Sequence, residues 1–315
     1  MEGTAKDEVT VLLTGMGGLV GSAVASRLSA DQCKIVHLVR PGALNVRDSS
    51  ETIDSLPWDI SAGQCDLSSL NRLSGPIDAV IHLAGQSVAG RWNADIRQRI
   101  RDSRVKGTEL LCRALAGLEQ PPRVLVSASA VGIYGDRCEE PLTEDSELGD
   151  GFLAEVCREW EAATAAAEGA GIRTVHARLG VVLSGQGGAL ARMLTVFRLG
   201  LGGRIGNGLQ WWSWIALEDV VSALLHLAHS NLRGPVNLVS PNPVTNAQFT
   251  ETLCHVLHRP GILPVPALAV RLAMGEMADA LLLSSTRATP ARLLANGFSF
   301  GYPDLEAALR NLLKE

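Results

Sequence analysis

Thr14-Gly15-Met16-Gly17-Gly18-Leu19-Val20-Gly21 stands directly behind an apolar run, residues 9–13, and leads into a helical stretch, residues 19–28. Glycines in a strand–turn–helix setting have a specific use. A tight turn needs their freedom of φ, and a phosphate reaches the first N–H groups of a helix only where no Cβ intervenes. Gly15, Gly18 and Gly21 meet that need, so the stretch predicts a pyrophosphate cradle that opens a dinucleotide-binding domain.

Outward from the cradle, short apolar runs at 34–39, 79–83, 124–126 and 174–177 alternate with helical patterns at 93–118 and 153–167. Strands that are apolar throughout, separated by helices, imply a parallel sheet covered on both faces. The predicted fold class is therefore α/β, a doubly wound parallel sheet of the Rossmann type. After Gly185 glycines crowd the chain, and from Gly234 prolines cut it into short elements. That pattern predicts a dinucleotide-binding domain over 8–233, with 185–213 contributing to a substrate lobe, and a small C-terminal α+β lobe over 234–315.

The second strand ends in His37-Leu38-Val39-Arg40. An acidic residue at that point binds the ribose hydroxyls of NAD, whereas an arginine suits a 2′-phosphate, to which it offers two parallel donors. Arg40 thus predicts NADP(H) as the cofactor; the plainer reading is a solvated arginine before Pro41.

With 315 residues, 46% hydrophobic and 19% charged, the chain has a globular composition. A net charge of −5 argues against holding nucleic acid through the overall field. No apolar run approaches the ~18 residues of a membrane span. The N-terminal MEGTAKDEV has neither the basic nor the apolar region of a signal peptide, and the six cysteines form no CxxC pair. A soluble protein of a reducing compartment is expected, cytoplasmic by default, with a small-molecule substrate and neither a nucleic-acid nor a membrane partner. His226/His229 and His255/His258 are each spaced i, i+3, too few ligands for a metal site, so none is expected.

The cradle is followed by Ala79-Val-Ile-His-Leu-Ala-Gly85, Arg91-Trp92, Ser103-Arg104-Val-Lys-Gly-Thr108, Ser127-Ala-Ser-Ala-Val-Gly-Ile-Tyr-Gly135, Arg178-Leu-Gly-Val-Val-Leu183 and Trp214-Ile-Ala-Leu-Glu-Asp219. In this order the motifs resemble the extended short-chain dehydrogenases/reductases. With Pro241-Asn-Pro-Val-Thr-Asn246 and the Gly297…Tyr302-Pro303 tail, they are similar to an atypical epimerase subgroup, that of human family 39U member 1 and bacterial sugar-nucleotide epimerase-like proteins. The resemblance spans nearly the whole chain. It implies cofactor contacts from Gly15, Met16, Gly17, Gly18, Leu19, Val20 and Gly21, and from Leu83, Ala84 and Gly85 after the fourth strand. It adds Ser103, Arg104, Ser127, Gly180 and Val182, and for the adenine either Asp59 or Asp66. It also implies that a homodimer would form on the two long helices.

Extended members move protons with a tyrosine and a lysine four residues later; the ammonium lowers the phenol's pKa. This chain has two tyrosines, Tyr134 and Tyr302, and four lysines, Lys6, Lys34, Lys106 and Lys314. Neither tyrosine has a lysine at that spacing, so the pair is absent from the chain. Alignment on Trp160-Glu161 puts Leu153 or Phe152 at the tyrosine position and Cys157 at the lysine position. Ser129 and Tyr134 remain as candidates for the catalytic role, although a serine at a strand end also serves as a simple cap. Trp211, Trp212 and Trp214 suit either a substrate pocket or a core, and the arginines 91–104 either a solvated face or an anionic ligand. The expected function is an NADP(H)-dependent oxidoreductase or epimerase-like enzyme acting on a carbonyl or sugar-nucleotide substrate; the alternative is a non-catalytic NADP(H) sensor or scaffold.

Overall fold

The computed structural model describes residues 9–40, 53–65, 67, 75–261 and 264–314. Its first half alternates strand and helix: β1 (Thr10–Thr14), α1 (Leu19–Ala30), β2 (Lys34–Val39), β3 (Ile53–Asp59), β4 (Gln64–Cys65), β5 (Ala79–His82), α2 (Ala94–Ala116) and β6 (Val124–Ala130). There follow β7 (Pro141–Leu142), α3 (Phe152–Ala162), α4 (Ala165–Gly169), β8 (Arg173–Leu179), β9 (Val181–Leu183), α5 (Gly188–Arg198), β10 (Trp211–Trp212), β11 (Trp214–Ala216) and α6 (Leu217–His229). The chain ends with β12 (Gly234–Leu238), β13 (Val244–Thr245), α7 (Asn246–Val256), α8 (Ala267–Met274), β14 (Arg287–Ala288), α9 (Ala291–Ala295) and α10 (Leu305–Leu313).

Eight strands form one sheet in the order β12-β8-β6-β5-β1-β2-β3-β4, parallel except for the terminal β3–β4 pair. The apolar strands are buried on both faces. Leu13, Ile81, Val126 and Val175 pack with α1 and α6 on one side, and Leu12, Val80 and Leu125 pack with α2 on the other. The order of strands reverses between β1 and β5, which opens a crevice above their C-terminal ends. The glycine cradle follows β1 directly into this crevice.

The helical run expected over 153–167 is two helices, α3 and α4, with a break near Ala163–Thr164, where the Thr164 hydroxyl turns back to the carbonyl of Glu161. The expected lobe boundary at 234 also shifts. Gly234–Leu238 is β12, the edge strand of the main sheet, in register with β8. The smaller lobe has its own core, in which Leu190, Phe197, Trp214, Phe249, Leu253 and Leu309 gather α5, α7 and α10. Among the described residues no helix is long and apolar enough to cross a membrane.

Candidate functional site

Gly15 has φ +76, and a Cβ there would lie 2.7 Å from the carbonyl carbon of Leu83. At Gly21 a Cβ would run into the Gly15 carbonyl, whereas at Gly17 it would meet nothing within 4 Å. The first and last glycines thus let β1, β5 and α1 close up, and the middle one leaves open space above the turn. Three helix starts are capped by side chains: Asn93 accepts the N–H of Ile96, Thr245 that of Gln248, and Asp304 that of Ala307. α1 begins at Gly18 with no side-chain cap and no acidic residue in its first turn. Its free N–H groups and positive dipole end face the open space, an arrangement suited to a pyrophosphate. Met16 and Val20 pack against the α1-side core, and a Cβ at Gly187 or Gly188 would touch Leu19.

The second wall of the crevice is held by a buried polar chain that the motifs did not reveal. Thr14 Oγ1 accepts the N–H groups of Leu83 (3.1 Å) and Ala84 (3.2 Å). Its own proton therefore points at His82 Nδ1, 2.7 Å away. That leaves the proton of the ring on Nε2, which donates to Thr108 Oγ1 at 2.9 Å. His82 is fully buried, and burial lowers its pKa to about 4, so the ring is neutral. A histidine inside an apolar strand was the available signal. On α2, Ser103 accepts the N–H of Gln86 (3.0 Å) and Arg104 donates to the Gln86 carbonyl (3.0 Å), so the two residues grip the loop beyond Gly85. Arg104 also lies over the ring of Trp160.

Arg40 closes β2, exposed, with no hydrogen bond or ion pair among the described residues. Asp59, at the end of β3, is occupied by its own turn: it accepts from Ser61 and Ala62, and the Ser61 hydroxyl holds its carboxyl below the usual range. Asp66 lies outside the described residues. Gly180 joins β8 to β9 where a Cβ would strike the Ser213 carbonyl, and Val182 packs onto the α1-side core. Ser127 is buried in β6 with its hydroxyl unpartnered. The cradle, the open helix end and Arg40 fit a phosphorylated dinucleotide.

The two candidate catalytic residues, Ser129 and Tyr134, are buried in one hydrogen-bonded network. Tyr134 is 0% exposed; its hydroxyl donates to Asn237 Oδ1 (2.8 Å) and accepts from Arg178 Nη1 (2.9 Å). Arg178 in turn makes two bonds to Glu161, 2.8 and 2.9 Å, and Ser129 donates to the same carboxylate at 2.7 Å. This closed network lies within the protein. Burial pushes the Tyr134 phenol above its ordinary value, the opposite of what an acid–base phenol requires at neutral pH. Cys157, one turn into α3, is buried and burial pushes its thiol up to about 11, so it stays uncharged where the lysine would stand, although the Arg104 guanidinium acts on it from α2. A charged residue within a buried strand demands a partner, so Arg178 in an apolar run is itself a sign of such a network.

Beside the crevice lies a cleft of about 360 Å³. Gly132, Phe152, Leu153, Val181, Trp211 and Trp212 supply its apolar wall, with Phe152 and Leu153 where the family tyrosine is expected. Trp214 by contrast is a core residue, bonded through Nε1 to the Asn242 carbonyl at 3.0 Å. The cleft also carries Asp136, Asp150, Glu276 and Asp279 and no cationic side chain. Arg97 pairs with Glu276, Arg271 with Asp279, and Arg287 lies 4.3 Å above Trp211 outside the lining. His226 is bonded to Asn296, and among the described residues no group of three His, Cys, Asp or Glu could hold a metal.

Comparison with known proteins agrees with this fold. The model of the NAD dependent epimerase/dehydratase family matches residues 11–239, and a domain of unknown function (DUF1731) matches 265–312. The epimerase family protein Mb2239 of Mycobacterium bovis is 42% identical over 301 residues, covering 95% of this chain and 96% of that protein. The epimerase family protein YfhF of Bacillus subtilis is 36% identical, covering 98% and 99%. Among solved structures, the human epimerase family protein SDR39U1 with NADPH superposes with a TM-score of 0.83 at 31% identity, covering 98% of this chain and all of that one.

Proposed function

The chain belongs to the NAD dependent epimerase/dehydratase family, and on that premise we propose that it is an NADP(H)-dependent oxidoreductase acting on a small, uncharged carbonyl or alcohol. The observation that carries the reading is Arg40: an exposed guanidinium with no partner among the described residues, at the strand end where a dinucleotide's adenosine ribose is read. The human relative whose structure includes NADPH supports the same choice. NADP(H), when bound, supplies hydride chemistry. The chain's own residues do the rest. Gly15 to Gly18 present bare backbone to the pyrophosphate, Ser103 and Arg104 hold the facing loop, and Phe152, Leu153 and Val181 keep water from the reacting end. Of the four carboxylates on the cleft, Glu276 and Asp279 are paired with Arg97 and Arg271, so Asp136 and Asp150 are the charges that favour a neutral substrate over a diphosphate, by like-charge repulsion.

A second reading, a cofactor-dependent sensor without turnover, is favoured by the closed Tyr134–Arg178–Glu161–Ser129 network, which leaves no acid–base phenol facing the cleft. Loss of NADPH absorbance across a panel of ketones, aldehydes and nucleotide sugars separates the two. The enzyme reading expects turnover with a neutral carbonyl, retained in Tyr134→Phe. Tight NADPH binding with no turnover across the panel would instead establish the sensor.

A further inference from the structure

Exposed apolar side chains are not scattered over this molecule. Of the ten large ones among the described residues, Val196, Leu199, Leu201 and Leu209 lie on the segment from α5 to β10, and Leu268, Leu272 and Met274 on α8. Leu199 is 71% and Leu272 69% exposed. Arg192 and Val196 are i, i+4 on α5 with Leu199 at its C-cap, Leu268 and Leu272 are i, i+4 on α8, and Leu201 and Leu209 lie in the connection between α5 and β10.

The two segments are stitched edge to edge. Val265 donates to the Arg204 carbonyl at 2.8 Å and accepts from Gly206 at 2.9 Å, and Arg259 donates to the Arg198 carbonyl at 3.0 Å. Their charge is equally distinctive. No aspartate or glutamate occurs in 169–217 or in 252–275, in a chain whose net charge is −5. Arg192, Arg198, Arg204 and Arg259 are exposed and form no ion pair among the described residues. Arg271 is paired with Asp279, and Glu251 shares a shallow hollow with Arg204.

We propose that this face of the small lobe docks on an anionic lipid surface. Leucines beside arginines that lack counter-charges are the physical form of a peripheral membrane contact: the apolar side chains enter the headgroup boundary while the guanidinium groups meet anionic headgroups. Exposed apolar side chains gathered on one lobe, rimmed by polar groups, mark a contact surface. Such a contact needs no spanning helix, and none of Val196, Leu199, Leu201, Leu209, Leu268 and Leu272 lines the cleft. It does not rest on the reaction proposed above.

Flotation of the full chain with phosphatidylcholine vesicles, with and without phosphatidylserine, tests the proposal. Binding is expected only with phosphatidylserine and should weaken as salt rises. The pair Arg198→Glu and Arg204→Glu should lower the bound fraction by about tenfold or more, and Leu199→Ser with Leu201→Ser should lower it at low salt as well. Unchanged NADPH affinity in both variants shows that they are folded. No flotation, or equal flotation with phosphatidylcholine alone, overturns the proposal. So does a dimer in light scattering that Leu199→Ser with Leu201→Ser dissolves, because the patch then belongs to a second copy.

Discussion

Gly21 faces the Gly15 carbonyl so closely that no side chain has room there. Gly21→Ala must therefore push α1 away from β1, and the cradle opens with it. The variant is expected to lose about 1–3 kcal/mol of stability, as overpacked sites do, and to bind NADPH at least tenfold more weakly by fluorescence titration, about 1.4 kcal/mol. Wild-type affinity in Gly21→Ala would show that the dinucleotide does not use this turn. Gly17→Ala is the control: with open space around its Cβ, the effect on folding should be small. These are positions where one methyl group decides between a binding loop and an ordinary turn.

At the scale of elements, β1 and β5 are held in register at their C-terminal ends by the Thr14–His82–Thr108 chain. His82 is neutral in the folded protein, with a pKa of about 4 against an ordinary 6.5. Because the folded value is depressed, the unfolded chain takes up a proton first as the pH falls. Stability is full above 6.5, declines between 6.5 and about 4, and levels off below that. The loss attributable to this buried ring is about 3 kcal/mol, and His176, whose pKa burial also lowers, adds in the same direction. Urea midpoints measured across that range should fall, and a flat profile would mean that the ring is solvated. This chain also shows what sequence could and could not disclose. The glycines, Arg40 and the missing tyrosine–lysine pair are local facts, fixed by spacing along one segment. The partners of His82 and Arg178 come from strands and helices far away in the chain, so their pairing is set by the sheet order. Likewise, Tyr134 sits on the segment expected to face substrate, yet its hydroxyl is claimed by Asn237, 103 residues away.

For the whole molecule, the sheet order and the second lobe decide what the crevice can do. The topology was legible because apolar strands buried on both faces alternate with helices, and only the lobe boundary moved, β12 joining the sheet it was expected to leave. The acidic lining of the cleft was not legible, since Asp136, Asp150, Glu276 and Asp279 converge from segments far apart in the chain. Around this frame one claim is central: the protein binds a dinucleotide and reads its 2′-phosphate with Arg40. Titrating the wild type and Arg40→Asp with NADPH and with NADH tests it directly. A bidentate charge-assisted contact of roughly 1.5–3 kcal/mol predicts that the wild type prefers NADPH by about tenfold or more. Arg40→Asp should lose that preference by weakening NADPH, with NADH little changed. Equal curves for both dinucleotides in the wild type, or an unaltered preference in Arg40→Asp, would contradict it.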